Sequence, residues 1–191
     1  MTRISDPYEV ARRSPLGFWS KADDARYVAY CLWTLRHGTP IDPAAIGGSI
    51  ESAKGALFWG WLREISLALE LIIKAVIAQK ENFKDSPSSV PNSHNVPQLW
   101  KMADLPQTSW EQEYHLCSAH QVLQWLGRYS APRKGTPDLF EARNTLRPDI
   151  KLGNTQMPMP IKMDWESFDA LYQIALNAYL AQYAEAGEDD R

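Results

Sequence analysis

The sequence predicts an all-α protein, a helical bundle around one long central helix with additional helices toward the N- and C-terminal ends. Three observations lead to this prediction. Apolar residues recur at spacings of three and four in several separate stretches, which is the helical period. Residues 65–78 (ISLALELIIKAVIA) are apolar on most sides, as in a helix buried inside a bundle. No stretch of useful length alternates apolar and polar residues as a half-buried strand does.

The first predicted helix follows an irregular N-terminal segment. Ser20 and Asp23 resemble a capping box, so we expect the helix to begin there. His37 and the following Gly38 are typical of a helix end, because a cation favours the negative end and glycine suits the position just after it.

The long central helix is predicted over residues 49–82. Gly55 and Gly60 weaken its first half and indicate a close helix contact or a bend. Its second half carries a polar seam, because steps of three or four residues return to the same helical face. The seam consists of Arg63, Ser66, Glu70 and Lys74. A buried charge is costly unless paired, so the seam is either a structural Glu70–Lys74 pair or the lining of a functional groove.

Three more helices follow a loop rich in Ser, Pro and Asn at residues 84–95. Asn95 is placed to cap a short helix that begins near Pro97. Thr108 or Ser109 caps the next helix, which we expect to continue to about residue 129. Asp164 caps the last helix. His94, just before the short helix, either orients that helix or contacts Glu70.

Composition excludes several classes of protein. The 191 residues fit one domain, and the net charge of −3 gives no overall basic signal for nucleic acid. Cys31 and Cys117 lie in apolar helical patterns, as buried thiols of a reducing cytoplasm do. No signal-peptide core, membrane span, zinc-ligand pattern, phosphate-binding glycine loop or nucleophile elbow is present. We expect a cytoplasmic protein with no membrane association, no metal and no cofactor.

A basic segment interrupts this acidic chain. From Arg128 to Lys162 there are seven basic and three acidic residues, a local charge of +4. Arg128, Arg133 and Lys134 cluster near a predicted helix end with Tyr129 among them, a combination suited to phosphates and stacked bases. The alternative is a set of cations at the carbonyl end of a helix beside a solvated loop.

Three motifs in order resemble the HEPN family of small prokaryotic helical bundles. They are ELIIKA at residues 70–75, HNVPQLW at 94–100 and WLGRYSAP at 125–132. The resemblance implies a four- or five-helix bundle, often dimeric, that acts in defence, toxin–antitoxin or nucleotide-linked systems. Many members of the family are metal-independent ribonucleases with an Arg and a His four to six residues apart, so the resemblance also implies this activity as an expectation. No Arg in this chain precedes a His at that spacing.

We therefore expect a single domain over residues 1–191. It has a HEPN-like core at 49–132, an irregular basic segment at 133–163 with a short helix near 139–146, and a C-terminal helix at 164–187. The leading hypothesis is a module without the family's nuclease pair, which we do not expect to be an enzyme. It binds RNA, a nucleotide or a protein partner through Arg128, Tyr129, Arg133 and Lys134. One alternative is a ribonuclease whose site combines His115 or His120 with Arg128. The other is a non-catalytic dimerisation scaffold. Whichever of these holds, we expect a homodimer formed through the central helix or the helix from Trp110 to Arg128.

Overall fold

The computed structural model describes residues 13–38, 42, 49–84, 90–126, 146–152, 155–159 and 161–189. Within these ranges the chain forms five α-helices: α1 (Pro15–His37), α2 (Ile50–Asn82), α3 (Val96–Met102), α4 (Trp110–Gln121) and α5 (Trp165–Asp189). A π-helical turn, Val122–Leu126, continues α4, and two short strands precede α5. The predicted all-α bundle around a long central helix is confirmed.

Helix α1 begins earlier than predicted. Ser14 is its N-cap, with the hydroxyl accepting a hydrogen bond from the Gly17 N–H at 3.0 Å, and Pro15 occupies the first helical position. Ser20 therefore lies inside the helix, and the predicted start there was wrong. A Ser–Pro pair is a strong start because proline already has the helical φ and lacks an N–H that would need a partner. The predicted end at His37 is confirmed.

Helix α2 is the centre of the bundle and begins after Ser49, whose hydroxyl accepts a hydrogen bond from the Ser52 N–H. It packs most extensively against α1 and next against α5, and it also contacts α3 and α4. A Cβ built on Gly60 would lie 3.4 Å from Leu32 Cδ1, so the close contact predicted at this glycine is present between α1 and α2. Gly55 has no such neighbour among the described residues.

The other helix starts follow the predicted caps. Asn95 caps α3 through the Gln98 N–H, and Asp164 accepts a hydrogen bond from the Ser167 N–H at 2.9 Å. Of the two candidates for α4, Ser109 is the cap, and it forms a reciprocal capping box with Gln112. These side chains satisfy N–H groups that have no partner within the helix.

A small antiparallel hairpin was not predicted. Strand β1 (Asp149–Leu152) pairs with β2 (Thr155–Pro158), with Ile150 opposite Met157. Each strand has four residues, too few for an alternating pattern to stand out, and prolines flank the hairpin. The predicted helix near 139–146 falls at residues 139–145 outside the described part of the chain.

The core forms where α1, α2 and α5 meet. The Trp61 ring on α2 is fully buried, with centroids 4.6 Å from Trp33 on α1 and 5.9 Å from Phe168 on α5. Cys31 and Cys117 are each half-buried and not fully buried as predicted. The face of α5 that enters the core carries Phe168, Leu171, Tyr172, Ala175 and Tyr179.

None of the helices in the described ranges is long and apolar enough to cross a membrane.

The Asp164 cap yields a pH-dependent prediction. Burial raises the pKa of Asp164, but hydrogen bonds from Ser167 and Lys162 outweigh it, so the pKa lies below its usual value. A depressed pKa stabilises the fold above the unfolded value of about 4 and stops doing so as pH falls through the folded value. We expect Asp164→Ala to lower the free energy of unfolding by about 1 kcal/mol at neutral pH.

The measurement is a urea unfolding series between about pH 6 and pH 2.5, since carboxylates titrate in that interval. The difference in the free energy of unfolding between wild type and Asp164→Ala should become smaller as the pH falls. Glu166→Gln is the matched control, because Glu166 is an exposed carboxylate in the same first turn of α5. A gap of constant size at every pH would contradict the role of the charged carboxylate.

Candidate functional site: the Glu70–Lys74–His94 cluster

Glu70 and Lys74 form a buried ion pair on α2. Lys74 Nζ donates to Glu70 Oε1 at 2.7 Å, and the two side chains are only 8% and 3% exposed. They lie one helical turn apart, so α2 alone brings them together. Because removing charges from water is costly, each group depends on the other for compensation. The structure therefore contains the Glu70–Lys74 pair, which is the first of the two alternatives for the predicted seam.

His94 supplies the second partner of the Glu70 carboxylate. Its Nδ1 lies 2.8 Å from Glu70 Oε2, while its side chain remains 47% exposed. Both carboxylate oxygens of Glu70 are thus engaged, one by a cation and one by an imidazole. Of the two interpretations from the sequence, contact with Glu70 is the observed one, and Asn95 caps the short helix instead.

This contact leaves one ring nitrogen of His94 for other chemistry. With Nδ1–H donating to Glu70, Nε2 is the nitrogen that accepts a proton or a hydrogen bond. No described residue forms a hydrogen bond with Nε2. A partly exposed imidazole oriented by a buried carboxylate is therefore the main chemical feature of the cluster.

His120 fixes the backbone next to this imidazole. Its Nδ1 donates to the His94 carbonyl oxygen at 2.7 Å, which connects α4 to the segment before α3. Burial, followed by the proximity of His94, lowers the pKa of His120 and outweighs the opposing effects of that hydrogen bond and of Glu70. A neutral, buried His120 has a positioning role and does not face solvent.

His115 is also occupied by backbone contacts. Its Nδ1 lies 2.6 Å from the Glu111 carbonyl oxygen, and its Nε2 lies 3.0 Å from that of Lys162. Its ring also meets the edge of Phe168, with centroids 5.1 Å apart. His115 thus joins α4 to the segment before α5, and both nitrogens of this catalytic candidate are engaged.

The rest of the predicted seam does not join the cluster. The Ser66 hydroxyl donates to the Leu62 carbonyl of its own helix at 2.6 Å and is fully buried. Arg63 is exposed and pairs with Glu64 at 2.8 Å. By spacing, Arg63 shares a helical face with Glu70. It lies near the start of the buried part of α2, however, and its exposed side chain pairs with the neighbouring Glu64.

The predicted binding residues Arg128, Tyr129, Arg133 and Lys134 lie outside the described residues. Two other cations of the basic segment have side chains that the structure describes. Arg147 Nε donates to the Met159 carbonyl oxygen at 2.8 Å, and its guanidinium lies 6.0 Å from the Tyr114 ring centroid.

Lys162 pairs with Asp164 at 2.9 Å. The two described cations therefore make local structural contacts, which leaves the predicted binding role to the rest of the segment.

One polar residue near the cluster was not predicted. Gln121, next to His120, is fully buried, and neither atom of its amide bonds with a described residue. It stands where α4 widens into the π-helical turn Val122–Leu126, a feature frequent at functional sites. A single Gln in an apolar helical pattern carries no signal in the sequence that would single it out.

The described residues contain no group of three or more His, Cys, Asp or Glu side chains placed to hold a metal ion. No family model, no curated protein and no solved structure matches the chain. The functional interpretation therefore depends on the geometry of the Glu70–Lys74–His94 cluster and on the sequence.

Removing the Glu70 carboxylate should be strongly destabilising. Glu70→Ala leaves the Lys74 ammonium buried without a partner, and such a loss costs about 3–5 kcal/mol. Glu51→Ala is the matched control, because Glu51 is an exposed carboxylate of the same helix and pairs with Lys54 only at 3.6 Å. Urea unfolding of the two variants measures the difference, and equal midpoints would contradict the prediction.

A second variant distinguishes the cost of an unpaired buried charge from the cost of lost packing. Replacing Glu70 and Lys74 together with Met removes both charges and keeps most of the side-chain volume. This double variant should recover much of the stability that Glu70→Ala loses, since apolar replacement of a buried pair is often neutral. A double variant as unstable as Glu70→Ala would show that the loss has another origin.

Proposed function

We propose that this chain is a HEPN-like helical module that binds RNA or a nucleotide in a prokaryotic defence or stress system. The observation that carries the proposal is His94, a half-exposed imidazole held by the buried carboxylate of Glu70. The order of motifs around these two residues is the same order on which the HEPN resemblance depends.

The chemistry of the cluster suits a phosphate or ribose group. An imidazole exchanges protons near neutral pH and can donate to or accept from a ribose hydroxyl or a phosphate oxygen. The basic segment supplies the sequence-independent attraction that nucleic-acid binding requires. Arg128 follows two residues after the end of the π-helical turn, so it is close in sequence to the helix that fixes His94.

Binding without cleavage is the favoured form of the proposal. The Arg–His spacing of the family's ribonucleases is absent from the chain. His115 and His120 hold backbone carbonyl oxygens and are buried, which argues against either as the proton-transferring group of a rearranged site.

The second candidate function is RNA cleavage with His94 as the proton-transferring residue. A carboxylate that holds Nδ1 and leaves Nε2 available is an arrangement that general bases use. This candidate needs a cation that stabilises phosphate charge, and Arg128 is the residue proposed for that part.

A homodimer is the proposed state of the module, with the N-terminal third of α2 as its interface. Trp59 is 47% exposed there, and one turn earlier a Cβ on Gly55 would meet nothing within 4 Å. An exposed tryptophan beside a small residue suits the close approach of a second helix. Helix α4 is the weaker choice, because most of its side chains from Tyr114 to Gln121 are buried within the chain.

The basic residues give the first test of RNA binding. We expect wild type to bind a short single-stranded RNA at low salt, with affinity falling as salt rises. Replacing Arg133 and Lys134 with Ala should reduce the salt slope by roughly 0.7 for each lost phosphate contact. Fluorescence anisotropy across a salt series measures this slope, and thermal melting of the same variant distinguishes lost binding from lost folding.

The matched control replaces Lys21 of α1 and Lys84, just after α2, with Ala, because both lysines are exposed. It removes the same charge and should leave the slope unchanged. Absence of binding by wild type at low salt would reject the nucleic-acid proposal and leave a protein partner or a dimerisation scaffold. An unchanged slope in the Arg133/Lys134 variant would reject that contact surface.

His94 separates binding from cleavage. His94→Ala should weaken RNA binding several-fold, while wild type leaves the RNA intact on a denaturing gel. Cleavage by wild type that His94→Ala abolishes would establish the second candidate function instead. His37→Ala is the control, because His37 is an exposed histidine at the end of α1, far along the chain from the cluster and bonded to the Trp33 carbonyl oxygen of its own helix.

The dimer is tested by mass in solution. Multi-angle light scattering at tens of micromolar should give about twice the chain mass of 21.7 kDa. Trp59→Glu should shift the protein to the monomer, and Tyr183→Glu, at an exposed aromatic of α5, should not. A wild-type mass equal to one chain would reject the homodimer.

A further inference from the structure

An open cleft lies between α1 and the start of α5. It is lined by Asp23, Arg26, Tyr27, Tyr30 and Trp165 and measures about 350 Å³. That volume is at the small end of the range for ligand sites in proteins. None of the five lining residues belongs to the Glu70–Lys74–His94 cluster, so the cleft is a separate feature of the molecule.

Aromatic rings form the walls of the cleft. Tyr27 and Tyr30, one turn apart on α1, are 71% and 51% exposed. The ring of Tyr30 meets that of Trp165 edge to face, with centroids 5.1 Å apart. Large aromatic side chains exposed together are uncommon on a protein surface unless they contact something.

The positive charge in the cleft is already matched. Arg26 Nε donates to Asp169 Oδ1 at 2.6 Å, and the guanidinium lies 5.0 Å from the Tyr172 ring centroid and 5.6 Å from that of Trp165. Arg26 is therefore held in place by Asp169 and Tyr172 of α5. It also demonstrates that the Trp165 ring accepts a cation on its surface.

A negative charge remains at the rim. Asp23 forms no hydrogen bond or ion pair with any described residue, although it lies close enough to Arg26 to raise the pKa of that guanidinium. Asp23, Arg26 and Asp169 together carry a formal charge of −1, from two carboxylates and one guanidinium. Exposed aromatic rings and a carboxylate that no described residue pairs with are the two elements that recognise organic cations.

We propose that this cleft binds an organic cation, an ammonium or guanidinium group carried on an apolar stem. The stem lies against Tyr27 and Tyr30, the edge of Trp165 closes one side, and the cationic end reaches Asp23. A free alkylamine and the side chain of a Lys or Arg in a peptide present the same chemistry. Phosphate-bearing ligands are disfavoured, because Asp23 would repel them and the charge of Arg26 is already compensated by Asp169.

The test is a titration followed by NMR with the protein at constant ionic strength. Agmatine is the first probe, since its four-carbon stem carries a guanidinium at one end and a primary ammonium at the other. The readout is the Trp165 indole N–H signal, identified by its loss in Trp165→Phe. We expect a saturable shift of this signal with agmatine and none with 1-pentanol, a neutral probe of similar length. An acetylated, amidated Gly-Arg-Gly peptide is the second probe, and it distinguishes a peptide side chain from a free amine as the source.

Variants keep the proposal falsifiable. Asp23→Asn should weaken agmatine binding by about fivefold, the effect of losing one exposed ion pair. Asp24→Asn is the matched control, because Asp24 is the adjacent exposed carboxylate and does not line the cleft. Tyr27→Ala should weaken binding about threefold to fivefold without unfolding the protein, since that side chain is largely exposed.

Each outcome of the two titrations either supports or overturns the binding of an organic cation in the cleft. Binding of agmatine but not of the peptide supports a free amine, and binding of both supports a peptide side chain. No saturable shift with either probe, an equal shift with 1-pentanol, or equal weakening by Asp23→Asn and Asp24→Asn would each overturn the proposal. RNA binding does not enter this experiment, so its result is independent of the function proposed above.

Discussion

The carboxylate of Glu70 is the constraint on which the centre of this bundle depends. A charge that is almost fully removed from water must be compensated at short range, and Glu70 receives two partners. Lys74 comes from the same helix and neutralises the charge. His94 comes from the segment before α3, so the same carboxylate also determines where that segment lies. His120 then holds the His94 carbonyl, which brings α4 to the same point.

This arrangement explains how a helix of seven residues keeps a defined position. A helix as short as α3 is not stable alone, because its first turn costs more than its few hydrogen bonds return. Its N-terminal side is held through His94 and Glu70. Its C-terminal side is held by Lys80 of α2, whose Nζ donates to the Ala103 carbonyl oxygen at 2.7 Å. Leu99 and Trp100, both buried, fill the space between the two ties.

The sequence predicts the framework well because its signals are local. Ser49, Asn95 and Asp164 each cap a helix through a hydrogen bond from the backbone N–H three positions further along the chain. The run at 65–78 predicts the burial of α2 because a helix apolar on most sides has no other stable environment. The Glu70–Lys74 pair follows from helical spacing alone.

The partners of a side chain across the fold cannot be read in the same way. Contact between His94 and Glu70 spans 24 residues, and the sequence left it as one of two alternatives. His115 and His120 are chemically plausible catalysts until the backbone carbonyls of Lys162 and His94 are seen beside them. Backbone groups are present at every position and leave no mark in the sequence. For the same reason the pairing of Arg26 with Asp169, 143 residues away, has no local signal.

The two sites use charge in opposite ways, and this separates what each can recognise. At the first, Glu70 is compensated inside the protein by Lys74, and what reaches solvent is the half-exposed imidazole of His94. At the second, Arg26 is compensated by Asp169, and what reaches solvent is the fixed negative charge of Asp23 beside aromatic rings. At both, an ion pair is satisfied inside the protein, within α2 at the first and between α1 and α5 at the second, so the surface group can contact a ligand without weakening the fold. We therefore propose anionic ligands for the first site and cationic ligands for the second.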